Sequence, residues 1–211
     1  MTLHILGINH NDPAMRQRLT GCLLGRARKL GRPNFVGVEW DHAIFDKVRA
    51  QRQRFRELVA LQWPAMSDPL LNQLSQSLGY EGDSHIEIFA QDPVETLWLD
   101  EGREHDEGDI TRFSENRLAL YKSYLPQWPE VATDAEIILR MSEAASRDIG
   151  EPPLNGDVRD AGFADLLTPR LAIGANNWAV AIVGKFHAIK IEGSMLALLE
   201  SRNIACEVSM L

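Results

Sequence analysis

Trp178-Ala179-Val180-Ala181-Ile182-Val183 is the clearest strand signal in the chain, and Gly184-Lys185-Phe186-His187 follows it directly. All six residues of the run are apolar, without the alternation of a strand that has one face in water. Such a run is typical of a parallel sheet that is covered on both faces. Shorter apolar runs at 3–8, 34–38, 96–99 and 205–208 predict four further strands.

Helical patterns separate these strands. Asp12-Pro13 predicts a helix start before an apolar stripe that ends near Gly31, and Asp41 predicts the start of a second helix that runs to Pro64. Asp68-Pro69 opens a third helix, whereas 84–91 fits either a strand or a short helix. The stretch 109–149 is helical and contains the capping box Thr133-x-x-Glu136. Further helices are predicted from Asp157 to about 173 and over 193–201.

The alternation of strands and helices predicts an α/β fold. We expect a mostly parallel central sheet of about four or five strands, with helices on both faces. The middle third is almost entirely helical and predicts an insertion or lid over one end of the sheet. We therefore expect one domain, 1–211, with helical insertions at 42–93 and 104–156.

Composition excludes several classes of protein. The 211 residues carry a net charge of −8, which argues against binding to nucleic acid. Two cysteines cannot form a disulfide framework or a thiolate zinc site. No apolar run approaches the ~18 residues of a membrane span, and the N-terminus lacks the basic region of a signal peptide. We expect a soluble, cytoplasmic protein with reduced thiols.

Charge is unevenly distributed along the chain. The stretch 47–56 is rich in lysine and arginine, and the stretch 100–109 is rich in aspartate and glutamate. These stretches are either solvated faces or a surface for a partner or for self-association, so a homodimer is possible.

Four predicted strands end in residues that can perform chemistry. The first ends at Gly7-Ile8-Asn9-His10, the second at Glu39-Trp40-Asp41-His42, the third at Asp100, shortly before Arg103, and the fourth at Gly184-Lys185-Phe186-His187. Ligands of open α/β sheets bind at the carboxyl ends of the strands, so these residues define a candidate site.

The types of residue at these strand ends suggest two chemistries. Imidazole and carboxylate groups bind divalent zinc, manganese or iron, and they also serve as general acids and bases. His10, Glu39 and His187 are therefore candidate metal ligands and candidate catalytic residues. The alternatives are loop histidines and a glutamate that stabilises a helix N-terminus. Because cysteines are scarce, a metal here would need histidine and carboxylate ligands.

The two Gly-x-x-His motifs and Glu39 resemble the pattern of the TraB/PrgY–GumN–Tiki superfamily, which is distantly similar to the erythromycin esterase and ChaN haem-binding families. Arg159-Asp160-Ala161-Gly162-Phe163-Ala164 is similar to a helix motif that precedes the last histidine in this superfamily. The chain departs from the pattern at Asn9, where a threonine or small residue is commoner, and at Lys185-Phe186, which replaces two small residues. Glu81, Glu87 and His85 are the options for a further family glutamate.

The resemblance implies a metal-dependent hydrolase, peptidase-like, that acts on a peptide or small molecule. In that role His10, Glu39 and His187 hold the metal or polarise a water. Arg159 stabilises an oxyanion or anchors a substrate carboxylate, with Arg170 as its rival. The residues expected to contact substrate are Asn9, Trp40, Asp100 and Lys185.

Supporting roles follow from the same resemblance. Asp41, His42 or Asp100 would orient a ligand imidazole. Trp40 would wall the pocket and raise the pKa of Glu39 by desolvation. The alternative function is a non-catalytic protein that binds a peptide, haem or an anionic small molecule in the same pocket. A third possibility is an interaction protein that docks a partner through its charged helices.

Overall fold

One five-stranded sheet forms the centre of the computed structural model, which describes residues 1–102, 106–129, 132–173 and 177–211. The strands are β1 (Thr2–Ile8), β2 (Phe35–Val38), β3 (Glu95–Trp98), β4 (Trp178–Gly184) and β5 (Ala205–Met210). They lie in the order β3-β2-β4-β1-β5, and every neighbouring pair is parallel. The predicted α/β fold with a parallel sheet is confirmed.

Helices occupy the connections between the strands. Their bounds are α1 Met15–Leu30, α2 His42–Ala50, α3 Arg52–Gln62, α4 Asp68–Gln76, α5 Tyr80–Ile88, α6 Glu107–Thr111, α7 Phe113–Tyr124, α8 Asp134–Arg147, α9 Val158–Leu171 and α10 Met195–Ser201. In the part of the chain that the structure describes, no helix is both long enough and apolar enough to cross a membrane.

The sheet is covered on both faces, as its continuous apolar strands predict. Leu3 and Ile5 of β1 face one side, where they share a core with α9 and α10. Leu6 and Ile8 face the other side and pack with α1 and with Tyr80 of α5. Successive side chains of a strand point to opposite faces, so β1 contributes apolar side chains to both cores.

The helical middle third has an apolar core of its own. We call α2, α3, α4, α7 and α8 the helical layer. Its core consists largely of residues from these five helices: Val48, Phe55, Val59, Leu70, Leu71, Leu74, Tyr121, Tyr124, Ile137, Ile138, Met141 and Ala145. Trp40 packs against both this core and the core beneath α1, so it joins the helical layer to the sheet.

Two helix predictions differ from the structure. α1 begins at Met15, not at Pro13, because the Asp12 carboxylate accepts the Ala14 N–H at 2.8 Å and closes a turn before the helix. The helix expected over 41–64 is divided at Gln51. The Gln51 amide donates to the Ile110 carbonyl and accepts the Ser114 N–H, so it ties this break to the start of α7.

The ambiguous stretch 84–91 is largely helical, because it lies mostly within α5. Gly79 precedes this helix with φ +59°, a left-handed conformation that glycine adopts at little cost. Gly82 faces Phe45 so closely that a Cβ there would lie 2.4 Å from the ring. The alternating sequence pattern fitted either a strand or a helix. In the structure the stretch belongs to a helix that packs closely on Phe45.

Candidate active site

Glu39 lies between the two motif histidines. Strand order places β4 between β1 and β2, so the loops after these three strands meet at one edge of the sheet. His10 Nε2 is 3.5 Å from Glu39 Oε2, and His187 Nε2 is 3.2 Å from Glu39 Oε1. The structure therefore brings together the three residues that the strand ends suggested.

The Glu39 carboxylate is held as an anion. Its side chain is only 7% exposed, yet its two oxygens accept the Gly184 backbone N–H at 2.5 Å and Arg159 Nη1 at 2.6 Å. Burial by itself would raise the pKa of Glu39, but hydrogen bonds and charge from His10 and His187 hold it well below its usual value. The expectation that Trp40 raises this pKa is therefore wrong.

Close packing explains the glycine of each motif. A Cβ on Gly184 would lie 2.9 Å from His10 Nε2 and 3.2 Å from Glu39 Oε2. A Cβ on Gly7 would lie 2.9 Å from the Ala188 side chain and 3.3 Å from the Lys185 backbone. Both glycines thus let the two motif loops approach each other.

His10 is the most exposed member of this cluster, at 35% of its side chain. Its Nδ1 is 2.7 Å from Oε1 of Glu81, a buried residue of α5. Burial would lower the pKa of His10, but hydrogen bonds to Glu39 and Glu81 outweigh it and raise the pKa to about 10. His10 is therefore protonated at neutral pH and lies between two carboxylates.

Glu81 was one of three options in the sequence for the further family glutamate. Of these three, it is the residue that contacts His10 in the structure. The Trp40 indole N–H donates to Glu81 Oε2 at 3.2 Å, so the carboxylate oxygen that does not contact His10 is also held in place. His85 lies elsewhere and contacts Thr96, while Glu87 pairs with Arg16 at the surface. The signal in the sequence was Gly79-Tyr80-Glu81, a glutamate directly after a Gly-Tyr pair.

His187 is buried and contacts acidic side chains through both of its nitrogens. Its Nδ1 is 2.9 Å from Asp160 Oδ1, which also accepts the backbone N–H of Met195. Burial would lower the pKa of His187, but hydrogen bonds to Asp160 and Glu39 raise it to about 9. Arg159 Nη2 also lies 3.0 Å from His187 Nε2.

Arg159, and not Arg170, is the arginine of the site. Its Nη1 contacts Glu39 and, at 3.3 Å, Asp100, while its Nη2 contacts Asp157 and His187. Three of these four contacts are carboxylates, so the guanidinium acts as a counter-ion for Glu39 and its acidic neighbours. Arg170 forms an exposed pair with Glu95.

The helical layer holds the loop that carries His10. Arg117 of α7 donates from Nη1 to the His10 carbonyl at 2.7 Å and to Asn11 Oδ1 at 3.0 Å. Asn9 Nδ2 donates to the Ala145 carbonyl of α8 at 3.1 Å. Arg117 is buried and lies against the Phe113 and Tyr121 rings. No signal in the sequence linked Arg117 to His10, since 107 positions separate them.

A cavity of about 230 Å³ lies at this edge of the sheet. Its lining includes Asn9, His10, Glu39, Arg159, Gly184, Lys185, Phe186 and His187, together with Asp148 and Ile149 at the end of α8. Two larger cavities, of about 850 and 770 Å³, lie elsewhere and contain none of the predicted catalytic residues. Trp40 and Asp100 were also expected to contact substrate, but neither lines this cavity. Trp40 instead donates to Glu81, and Asp100 accepts from Arg159.

Several supporting predictions have a structural outcome. Asp41 caps α2 through the Ile44 N–H and also accepts the Gly102 N–H, so its predicted role as a helix cap is confirmed. His42 is exposed and stacks on Trp98, away from the site, so it orients none of the site histidines. Arg103 lies outside the described residues.

Charged residues of both stretches form contacts with other residues of the same chain. Arg52, Arg54 and Arg56 pair with Asp83, Glu115 and Asp68, respectively. In the acidic stretch, Asp106 caps α6, and residues 103–105 lie outside the described part. The basic stretch therefore joins α3 to its neighbouring helices.

A divalent metal was predicted at this site, and the contacts of its three candidate ligands bear on that prediction. Arg159 already places a cation against Glu39 and His187, and Glu81 and Asp160 engage the Nδ1 atoms of the two histidines. Within the ranges that the structure describes, no group of three or more histidine, cysteine, aspartate or glutamate residues has metal-binding geometry. The donors do not fit zinc, manganese or iron while Arg159 stays in place, and the metal remains a prediction.

Comparison with known proteins assigned the chain to no family. No protein-family model and no curated protein matches the chain. A solved structure, that of the type III effector HopBA1, aligns with a TM-score of 0.35 at 11% identity, over 88% of this chain and 67% of the effector.

Proposed function

We propose that the protein is a hydrolase of small molecules in which His10 transfers protons at the cavity. The observation that carries the proposal is the chain Glu81–His10–Glu39, in which both carboxylates are buried and the imidazole between them is exposed to the cavity. A carboxylate that fixes one imidazole nitrogen while the other faces the substrate is the usual arrangement for acid–base catalysis.

The proposed reaction is the attack of a water molecule on an ester or amide carbonyl. His10, protonated at rest, gives the Nε2 proton to the leaving oxygen or nitrogen as its bond to the carbonyl carbon breaks. Glu39 Oε2 takes a proton from the attacking water and returns it to His10. Glu39 is a weak base while His10 is charged, so loss of the His10 proton raises the basicity of Glu39 and couples the two transfers.

The other residues of the cluster have positioning roles in this proposal. Arg159 keeps Glu39 ionised and aligned, and His187 with Asp160 closes the other side of that carboxylate. No step uses a metal, because the guanidinium lies where a metal would have to contact Glu39 and His187. The resemblance to the TraB/PrgY–GumN–Tiki superfamily supports the hydrolase class, and we propose membership of that superfamily on the same residues.

The size of the cavity bears on the substrate. About 230 Å³ is less than the roughly 300–1,000 Å³ of typical small-molecule sites, so a small substrate or the terminal group of a larger one fits best. Neither cysteine forms a disulfide, which supports the proposed cytoplasmic location. The non-catalytic alternative would use this same cavity without turnover.

The test is a panel of small methyl esters and lactones, whose turnover is measured by acid release at constant pH, and of small amides, whose turnover is measured by amine release. We expect wild-type turnover of at least one class and a loss of about 100-fold or more in His10→Gln, since acid–base groups contribute about 10²–10⁴. His42→Gln is the matched control, because His42 is exposed and distant from the cluster. Equal turnover in wild type and His10→Gln would contradict the proposal. Binding of panel members without turnover would favour the alternative.

A further inference from the structure

Four side chains that can carry a positive charge line the cavity in the described part of the chain, namely His10, Arg159, Lys185 and His187, and they differ in how their charge is neutralised. Arg159 contacts three carboxylates, and His10 lies between two. Lys185 also lines the cavity, but it makes no ion pair with any residue that the structure describes. Its Nζ instead lies 5.1 Å from the centre of the Phe186 ring, which lines the same cavity.

The backbone fixes Lys185 next to the reacting groups. Its N–H donates to the Ile8 carbonyl at the end of β1, and its Cα lies against Gly7. The preceding residue, Gly184, donates to Glu39 and lies against His10 Nε2. Lys185 and His10 line the same cavity, so one small molecule can contact both.

We propose that Lys185 is the substrate anchor and that the substrate is a small ester or amide with a carboxylate at its other end. This inference rests on the proposed function for the ester or amide bond but not for the anionic group. A lysine whose charge no carboxylate neutralises attracts an anion as a compact point charge. The small volume of the cavity limits the distance between the anionic group and the carbonyl to a few bonds.

The geometry also assigns Arg159 a different role from Lys185. Arg159 is the stronger carboxylate binder in general, because its planar guanidinium makes two parallel hydrogen bonds. Here its four Nη hydrogens already face Glu39, Asp100, Asp157 and His187. An incoming carboxylate would have to displace one of these partners, whereas Lys185 requires no such exchange.

The test compares two substrates that differ in one terminal group, monomethyl succinate and methyl butyrate. We expect kcat/KM for the succinate ester to exceed that for the butyrate ester by about tenfold or more in wild type. Lys185→Gln should remove this preference, and Lys185→Arg should retain most of it. Lys190→Gln is the matched control, since Lys190 follows closely in the chain, is exposed and pairs with Glu200. An undiminished preference in Lys185→Gln overturns the assignment.

Binding of succinate, followed by NMR titration of the Lys185 and His10 side chains, separates this inference from the proposed function. If neither these esters nor any member of the panel is hydrolysed, but succinate binds and Lys185→Gln weakens that binding about tenfold, the anchor stands and the hydrolase proposal fails. If both esters are hydrolysed equally, the hydrolase stands and the anchor fails. Absence of succinate binding, or equal binding in Lys185→Gln and Lys190→Gln, also overturns the anchor.

Discussion

Gly184 and His10 are in such close contact that a single methyl group on the glycine would lie 2.9 Å from His10 Nε2. The second motif therefore contributes to the first: its glycine makes room for the histidine of the other loop. Gly184 also donates its N–H to Glu39, so one residue contacts both members of the proposed proton relay.

Gly184→Ala should displace His10 from Glu39. We expect turnover to fall at least tenfold and the free energy of unfolding to fall by about 1–3 kcal/mol, the usual range for overpacking. The measurements are ester hydrolysis and urea denaturation. Gly25→Ala is the control, because a Cβ at that position in α1 meets nothing within 4 Å and should stabilise the helix by up to about 1 kcal/mol. Unchanged activity in Gly184→Ala would show that the contact does not position His10.

Glu81→Gln should lower the pKa of His10. The substitution keeps a hydrogen-bond partner for Nδ1 but removes one of the two carboxylates that raise this pKa to about 10. NMR titration of the His10 ring carbons measures the effect directly. Glu87→Gln, on the same helix but paired with Arg16 at the surface, is the control. A His10 pKa that is the same in both variants would exclude Glu81 as its partner.

Stability should decline with rising pH in a way that depends on His187. The pKa of His187 is about 9 in the folded protein, above its ordinary value of 6.5, so its protonation stabilises the fold fully below pH 6.5. That contribution, about 2–3 kcal/mol, is lost as pH rises from 6.5 through 9. Urea denaturation between pH 6 and 10 should show a shallower decline for His187→Gln than for wild type. Parallel curves would contradict the shift.

Arg117→Met should loosen the loop that carries His10. Methionine retains apolar contact with Phe113 and Tyr121 but loses the hydrogen bonds to the His10 carbonyl and Asn11. We expect a loss of about 1–3 kcal/mol in stability, because a buried carbonyl is left without its charged donor, together with lower turnover. Hydrogen exchange over residues 9–12 should rise. Arg112→Met, at an exposed position just before α7, serves as the comparison, and equal exchange in the two variants would refute the role.

Chelation distinguishes the metal prediction from the metal-free mechanism. While the Arg159 guanidinium stays between Glu39 and His187, dialysis against EDTA should leave turnover unchanged, and metal analysis should give far less than one ion per chain. About one zinc, manganese or iron per chain in wild type, lost in His10→Ala and in His187→Ala, would instead establish the predicted metal site.

The apolar runs were sufficient to predict the architecture. A strand that is apolar at every position is stable only between two layers of helices, so the runs at β1, β2 and β4 implied a covered parallel sheet. Parallel strands end at the same edge, and this places His10, Glu39 and His187 near one another without knowledge of the helices. The helix break at Gln51 was not predictable, because it depends on contacts with residues 59 and 63 positions away.

The sequence by itself determined which strands end in candidate site residues, because local periodicity and glycine spacing are properties of neighbouring residues. Only the tertiary structure decided which residues complete the site. Glu81, Arg117 and Asp160 reach His10 and His187 from helices that are 27 to 107 positions distant in the chain. Those contacts depend on how the helical layer and α9 pack against the sheet. The same packing surrounded Arg159 with three carboxylates and, among the described residues, left Lys185 as a cation available to a ligand.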